Sequence, residues 1–371
     1  MRVLFVYKYL TLGGVESVLR ARLEGLPEQG VDAQAWFLSE GEGRSVFRGV
    51  ERRIHVGGLD AFRSYLAAVP QDVVSSIDTE EVLPLIDPAG RTKLVVEAHS
   101  PYLENLEYLR HMDRSGVAAF FVPSAHQRAV AQERIGSGVD VRVIPNALRQ
   151  CFVERNGGFR PLPPRPIVAW IGRLDPLKNW EGFLAIARQI AREVPEVEFW
   201  MVAGSSGSPM AEELFHRASR LGIAGSLVWY LGFPHERLPS LLDAVRESGG
   251  AVISTSRGES FGMAIAEAMA RGCAVVAPET GPFPEFIVQG ESGMLYPPRS
   301  MDAAAKAVLA LLRSHALRWR YGEQARADVL SAYAPGRALG KLAEELRAAC
   351  RAGQAADRPA DRLPSVAEPR V

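Results

Sequence analysis

Short apolar runs recur along the chain, separated by stretches with helical spacing. Val3–Tyr7, Ala33–Leu38, Val73–Ile77, Leu94–Ala98, Val117–Val122 and Val141–Ile144 are mostly apolar without strict alternation, the pattern of strands buried on both faces of a parallel sheet. Helical spacing falls between several of them, over Glu16–Leu26, Ala61–Val69 and Ala125–Ile135. The pattern then breaks. Asn156-Gly157-Gly158 leads into a run bearing Pro161, Pro163, Pro164 and Pro166, which can continue neither a helix nor a central strand. A second series follows: Ile167–Ile171, Val197–Val202, Leu227–Tyr230, Ala251–Ile253, Ala274–Val276 and Gly293–Tyr296 as strands, with helices over Trp180–Glu193, Met210–Leu221, His235–Arg246, Phe261–Arg271 and further ones up to Cys350. Strands alternating with helices predict an α/β protein with two open parallel sheets. The expected division is 1–155 for the first half, 156–166 for a linker, 167–333 for the second half, 334–350 for a C-terminal helix and 351–371 for a disordered tail carrying Pro359, Pro364 and Pro369. Ligands of such sheets sit outside the carboxyl ends of the strands.

Composition narrows the class. A chain of 371 residues with 47% hydrophobic and 23% charged residues is a globular protein large enough for two domains. Lys+Arg and Asp+Glu are equal at 43, which gives no global electrostatic case for nucleic acid. Residues 1–150 hold 17 basic and 19 acidic side chains, a poor match to an anionic lipid surface. Cys151, Cys273 and Cys350 are odd in number, far apart and without metal-ligand spacing, as expected of a reducing cytoplasm. No apolar run reaches membrane-spanning length, and the one after Met1 is too short for a signal peptide.

Candidate chemistry lies at predicted strand ends. After Ala251–Ile253 comes Ser254-Thr255-Ser256-Arg257-Gly258-Glu259-Ser260-Phe261-Gly262, then helix formers through Glu267 to Arg271, stopped by Gly272. Glu267 lies about 9 Å along the helix axis from Phe261, so Glu259 and Glu267 can bracket a ligand on either side of a helix N-terminus suited to phosphate. On spacing alone the two acids read equally as surface groups, Glu267 pairing with Arg271. After Ile167–Ile171 come Arg173 and Lys178, two cations in a loop opening onto a helix. There they oppose the helix dipole, and a bound diphosphate accounts for them better than solvent does. Gly13 and Gly14 follow the first strand and let the backbone approach a ligand, but no G-x-G-x-x-G is present for a nicotinamide cofactor. His99 ends the strand Leu94–Ala98. Gly204 and Phe233 follow two further strands, where glycine alone is ordinary loop chemistry.

Taken together, Glu259 and Glu267 around Ser-Phe-Gly resemble the E-x7-E motif of retaining nucleotide-sugar glycosyltransferases of family 4. Gly172-Arg173-Leu174-Asp175-Pro176-Leu177-Lys178-Asn179 resembles that family's G-R-L-x-x-x-K-[GN] segment, and Gly13-Gly14-Val15-Glu16 its G-G-x-E loop. The motifs occur in the family's order over about residues 1–350. Pro145-Asn146-Ala147-Leu148 departs from the family's P-N-G-[VI]-D, so Asn146 is read only as support for the hinge.

The resemblance implies the GT-B architecture: two Rossmann-like domains facing a cleft, the donor mainly on the second, the acceptor mainly on the first, and the last helix crossing back. It implies transfer of a sugar from a nucleoside-diphosphate sugar, UDP- or GDP-linked, with retention; no Asp-x-Asp is placed to hold a divalent cation, so no metal or other cofactor is expected. Arg173 and Lys178 would hold the donor phosphates with the N–H groups of Ser260, Phe261 and Gly262. Glu267 would accept from the ribose, while Glu259 and His99 would meet sugar hydroxyls. Gly13 and Gly14 would lie against phosphate and acceptor, Glu16 on the acceptor side, Gly204 beneath the donor and Phe233 beside the base. The expected catalytic set is Glu259, His99, Arg173 and Lys178. The acceptor is left open among a glycan, a lipid-linked intermediate and a natural product, with a lean to a soluble one. Expected partners are the donor and acceptor, at most peripheral membrane contact, and a monomer or homodimer. A nucleotide-sugar epimerase or a non-catalytic binding protein on the same scaffold are the alternatives.

Overall fold

The computed structural model describes residues 1–87, 90–155, 165–203 and 210–355. Seven strands form the first sheet: β1 (Arg2–Tyr9), β2 (Asp32–Ser39), β3 (Ile54–Val56), β4 (Val73–Ile77), β5 (Lys93–Glu97), β6 (Val117–Val122) and β7 (Val141–Val143). Their order is β3-β2-β1-β4-β5-β6-β7, every pairing parallel. Six strands form the second: β8 (Ile167–Gly172), β9 (Glu198–Ala203), β10 (Leu227–Leu231), β11 (Ala251–Ile253), β12 (Val275–Pro278) and β13 (Met294–Tyr296), ordered β10-β9-β8-β11-β12-β13 and again parallel.

In each sheet the strand order reverses beside its first strand, between β1 and β4 and between β8 and β11. Splayed loops leave a crevice at such a switch point. The glycine pair follows β1, Asp78 follows β4, Arg173 follows β8, and the loop to Glu259 follows β11. The topology thus explains why these segments carry the candidate chemistry.

The strands are buried on both faces, as their apolar runs require: Val3, Leu4, Phe5 and Val6 are all inaccessible to solvent. One face of the first sheet packs Phe5 and Phe37 with Leu339, Leu342 and Leu346 of the last helix, Pro335–Ala355. That helix therefore returns to the first half. Its approach is close enough that a Cβ on Gly25 would lie 2.4 Å from Leu339 Cδ1, so any larger residue would make that leucine side chain shift.

Several elements differ from the sequence expectation. Strand β3 was not expected, because Ile54-His55-Val56 is too short and polar a run to stand out at the sheet edge. The helix expected from Phe261 starts at Met263, since Gly262 takes a left-handed backbone (φ 88°) and serves as its N-cap. The helix expected from His235 opens with a 3-10 turn at His235–Arg237 and becomes α-helical at Leu238. The terminal helix runs to Ala355, five residues past its expected end at Cys350, because the first proline beyond it is Pro359. The expected linker, apart from Arg165 and Pro166, and the remainder of the tail lie outside the described residues.

Candidate active site

In the second half, two loops are stitched together behind the site. Asn179, in a left-handed conformation (φ 53°), donates from Nδ2 to Thr255 O (3.1 Å), and the Thr255 hydroxyl accepts from Trp170 Nε1 (2.9 Å). Arg257 N donates to Leu177 O (2.7 Å). This frame sets Lys178 Nζ 2.5 Å from Glu259 Oε1, which also accepts from Ser256 Oγ (2.8 Å). Arg173 donates from Nε to Asp175 Oδ2 (3.0 Å), and Asp175 Oδ1 receives the Lys178 N–H (2.8 Å). The sequence reading left both cations awaiting an anion; instead each already has a carboxylate partner. Burial alone would lower the Arg173 pKa, but Asp175 and Tyr102 overrule it and raise it further.

The helix Met263–Ala270 carries Glu267 on its buried side. Its first internal hydrogen bonds run from Ile265 N and Ala266 N to Gly262 O (3.1 Å each). Helix geometry then leaves the N–H groups of Met263 and Ala264 at the open end, two residues later than expected. The Phe261 ring turns away into the core, stacked on Phe286 with centroids 6.0 Å apart. Ser260 O accepts from Ser124 Oγ of the first half (2.7 Å).

In the first half, Glu16 folds back on its own loop, accepting from Thr11 N (2.7 Å) and Thr11 Oγ1 (2.6 Å). It is buried, which raises its pKa, and it braces the glycine turn. A Cβ on Gly13 would lie 2.9 Å from Glu16 Oε2 and 3.8 Å from Arg173 Nη1, whereas one on Gly14 would meet nothing within 4 Å. The turn is therefore tight at Gly13 and open at Gly14.

His99 is buried, with Nε2 2.9 Å from Glu97 Oε2. Glu97 is held by Arg22 through two hydrogen bonds (2.7 and 2.8 Å) and by Ser75 Oγ (2.6 Å). Burial alone would raise the Glu97 carboxyl, but Arg22 and His99 overrule it and keep it well below the usual range. Burial lowers the His99 pKa. With Nε2–H given to the carboxylate, a neutral His99 keeps Nδ1 as an acceptor.

The halves meet across one cleft of about 740 Å³, and every described candidate residue lines it. Tyr102 of the first half donates to Asp175 Oδ2 (2.7 Å) and accepts from Arg173 Nη2 (2.9 Å). Ser17 Oγ donates to Glu267 Oε1 (3.1 Å), with His235 Nε2 3.5 Å from the same oxygen. Arg149 joins His235 Nδ1 (3.1 Å) to Glu24 (3.1 Å to each carboxylate oxygen). Phe233 lines the cleft with its ring edge-on to Tyr230 (5.3 Å). Gly204 lies outside the described residues.

Sequence reasoning missed Ser17, Asp78, Tyr102 and His235. Asp78 had a usable signal, an acid ending the apolar strand Val73–Ile77. The other three reveal themselves only through contacts between the halves.

Two doubly wound parallel sheets facing a shared cleft define the GT-B class of fold. The comparisons agree. Structures of HepE from Anabaena in complex with UDP and glucose (TM-score 0.78, 20% identity, 94% of this chain and 99% of that one) and of sucrose-phosphate synthase from Thermosynechococcus elongatus (TM-score 0.74, 17% identity, 94% and 98%) share the architecture. Residues 159–328 match the family model "Glycosyl transferases group 1". The chain is 32% identical over 213 residues to a GDP-mannose-dependent alpha-(1-6)-phosphatidylinositol monomannoside mannosyltransferase of Mycolicibacterium smegmatis, covering 55% of this chain and 52% of that protein. It is 32% identical over 152 residues to a D-inositol 3-phosphate glycosyltransferase of Segniliparus rotundus, covering 40% and 33%. The chain thus spans about half or less of these curated relatives.

Proposed function

We infer that this chain is a retaining, family 4 glycosyltransferase that moves a hexose from a UDP- or GDP-sugar to an acceptor hydroxyl. The observation that carries the reading is the convergence of Arg173, Lys178, Glu259 and Glu267 with the Gly13-Gly14 turn on one cleft between the halves. The match of residues 159–328, the GDP-mannose in the name of one relative and the UDP and glucose bound in one structure of similar fold support it.

In this reading the bond from the anomeric carbon to the diphosphate oxygen breaks, leaving negative charge on the diphosphate. Arg173, Lys178 and the N–H groups of Met263 and Ala264 are fixed where that charge develops, and preorganised donors of this kind stabilise the transition state most. No divalent cation is needed for the step. The donor phosphate competes with Asp175 and Glu259 for the two cations, so Glu259 is freed to accept from sugar hydroxyls. Glu267 takes the ribose hydroxyls in place of Ser17, with Phe233 beside the base. His99 accepts a sugar hydroxyl through Nδ1. The acceptor oxygen bonds to the anomeric carbon from the face the diphosphate leaves, and its proton passes to a phosphate oxygen. The enzyme works in the cytoplasm as a monomer or homodimer with at most peripheral membrane contact; among the described residues no helix is long and apolar enough to cross a membrane.

Slow transfer to water tests this without knowledge of the acceptor. Proton NMR of the sugar released from an α-linked donor, read before mutarotation and with chelator present, is expected to show the α-anomer. A β-anomer, a covalent sugar on Glu259 in the mass spectrum, or loss of turnover with chelator contradicts the mechanism. An epimerised donor points to the isomerase alternative.

A further inference from the structure

The Arg173 guanidinium sits in a closed ring of three hydrogen bonds that crosses the cleft. Nε donates to Asp175 Oδ2 (3.0 Å), Nη2 donates to the Tyr102 hydroxyl (2.9 Å), and that hydroxyl donates to the same Asp175 oxygen (2.7 Å). The directions are forced, because a guanidinium only donates and a carboxylate only accepts. Tyr102 is the member that does both, and it comes from the first half. Asp175 is pinned in turn by the Lys178 N–H at Oδ1 (2.8 Å). Tyr102 is anchored through its own loop after β5, which His99 also belongs to. Its N–H donates to Ser100 Oγ (3.2 Å), which also accepts from Asn105 Nδ2 (3.0 Å), and Ser100 O accepts from Gln127 Nε2 (2.9 Å).

One edge of the guanidinium stays free. Among the described residues Nη1 makes no hydrogen bond, and it lies 3.8 Å from where a Cβ on Gly13 would stand, beside the glycine turn. The two partners hold Arg173 in different ways. Asp175 fixes the guanidinium but also neutralises the charge that a diphosphate draws on. A hydroxyl accepts from Nη2 without opposing an anion, so it can stay in place as phosphate competes with the carboxylate.

Resting on the transferase reading, we propose that Tyr102 is a positioning residue of the donor site: its hydroxyl holds Nη2 of Arg173 so that Nη1 faces the diphosphate beside Gly13 and Gly14. Tyr102 itself does not touch the donor and acts only through Arg173. The phosphate clamp then includes a residue of each half, and the loop that presents His99 to the sugar also aims the cation at the leaving group. Preorganised cations of this kind are worth most when their orientation is set before the charge develops.

The test uses the full chain and whichever of UDP and GDP raises its melting temperature more. Tyr102→Phe keeps the ring, whose centroid lies 5.5 Å from the guanidinium carbon, and removes only the hydroxyl. Dissociation constants of the diphosphate and of its parent nucleoside are measured by calorimetry for the wild type, Tyr102→Phe, Arg173→Ala and the double variant. Tyr102→Phe is expected to weaken the diphosphate about fivefold, the size of one half-exposed hydrogen bond, and to leave the nucleoside within about twofold. With Arg173 already alanine, removing the hydroxyl should change the diphosphate's constant by less than about twofold. An unchanged diphosphate affinity in Tyr102→Phe, an equal loss for the nucleoside, or a second fivefold loss in the Arg173→Ala background overturns the proposal and leaves the donor reading standing. A diphosphate affinity that Arg173→Ala does not alter contradicts the donor reading, and the role of Tyr102 falls with it.

Discussion

Asp78 holds a left-handed backbone (φ 45°), which aspartate adopts more readily than most residues, and accepts from His99 N (2.9 Å). Burial raises its pKa to about 8, against about 4 in an unfolded chain. The folded protein therefore binds the extra proton between these values, so this group's contribution to stability falls as pH rises from about 4 to 8 and is flat above. Asparagine cannot ionise, suits the same backbone and keeps the accepting oxygen. Asp78→Asn is expected to raise the melting temperature at about pH 8 and leave it nearly unchanged at about pH 4. An equal change at both values would mean that packing, rather than ionisation, sets the effect. The sequence hides such residues for a physical reason. Glu97 and Asp78 sit in or beside apolar strands, and only the fold shows that Arg22 and Ser75 satisfy the first and the amides of His99 and Ser100, just after β5, the second. Arg173, Lys178, Glu259 and Glu267 were legible because their spacing within single loops and one helix is local.

The short segment from β11 into the helix Met263–Ala270 shows where element-level reading works and where it fails. The apolar run of the strand and the alanine-rich helix were both evident, yet the helix starts two residues late because Gly262 turns left-handed before it. A side chain at 262 faces two penalties: the positive φ, at about 1–2 kcal/mol, and a Cβ 2.8 Å from Phe283 Cε1. Gly262→Ala is expected to lower the melting temperature by roughly 4–8 °C and to weaken nucleotide binding as the helix N-terminus shifts. Circular dichroism melts with and without nucleotide check both. An unchanged melting temperature would show that the turn relaxes freely. Most strands were legible for the converse reason: a strand buried on both faces is a continuous apolar run, whereas the edge strand β3 is short and carries His55.

Across the whole molecule, the two halves are joined by polar contacts, several of which converge on Glu267 in the cleft. Arg149 spans Glu24 and His235, His235 lies beside Glu267, and Ser17 donates to Glu267. Glu285 of the second half also caps the first-half helix Ala125–Ile135, accepting from Ala125 N (2.9 Å) and His126 N (2.6 Å). These contacts tie the two halves together through Glu267, which the proposed function places on the donor ribose. Arg149→Ala is expected to enlarge the radius of gyration in small-angle scattering without nucleotide and to weaken nucleotide binding several-fold, consistent with about 1–3 kcal/mol for partners left unpaired. Unchanged scattering and affinity would remove Arg149 from the closure. None of these contacts between halves has a local sequence signature, which is why they were not foreseen.

Whether this cleft holds a nucleoside diphosphate is decided by thermal melting of the wild type and Arg173→Ala against UDP, GDP, ADP and TDP and their sugars. A ligand at one hundred times its dissociation constant adds roughly 2.7 kcal/mol, enough to shift a melting curve clearly. A shift is expected with the UDP or GDP series, largely lost in Arg173→Ala. No shift with any nucleotide, or an equal shift in the variant, would contradict a diphosphate held by this cleft.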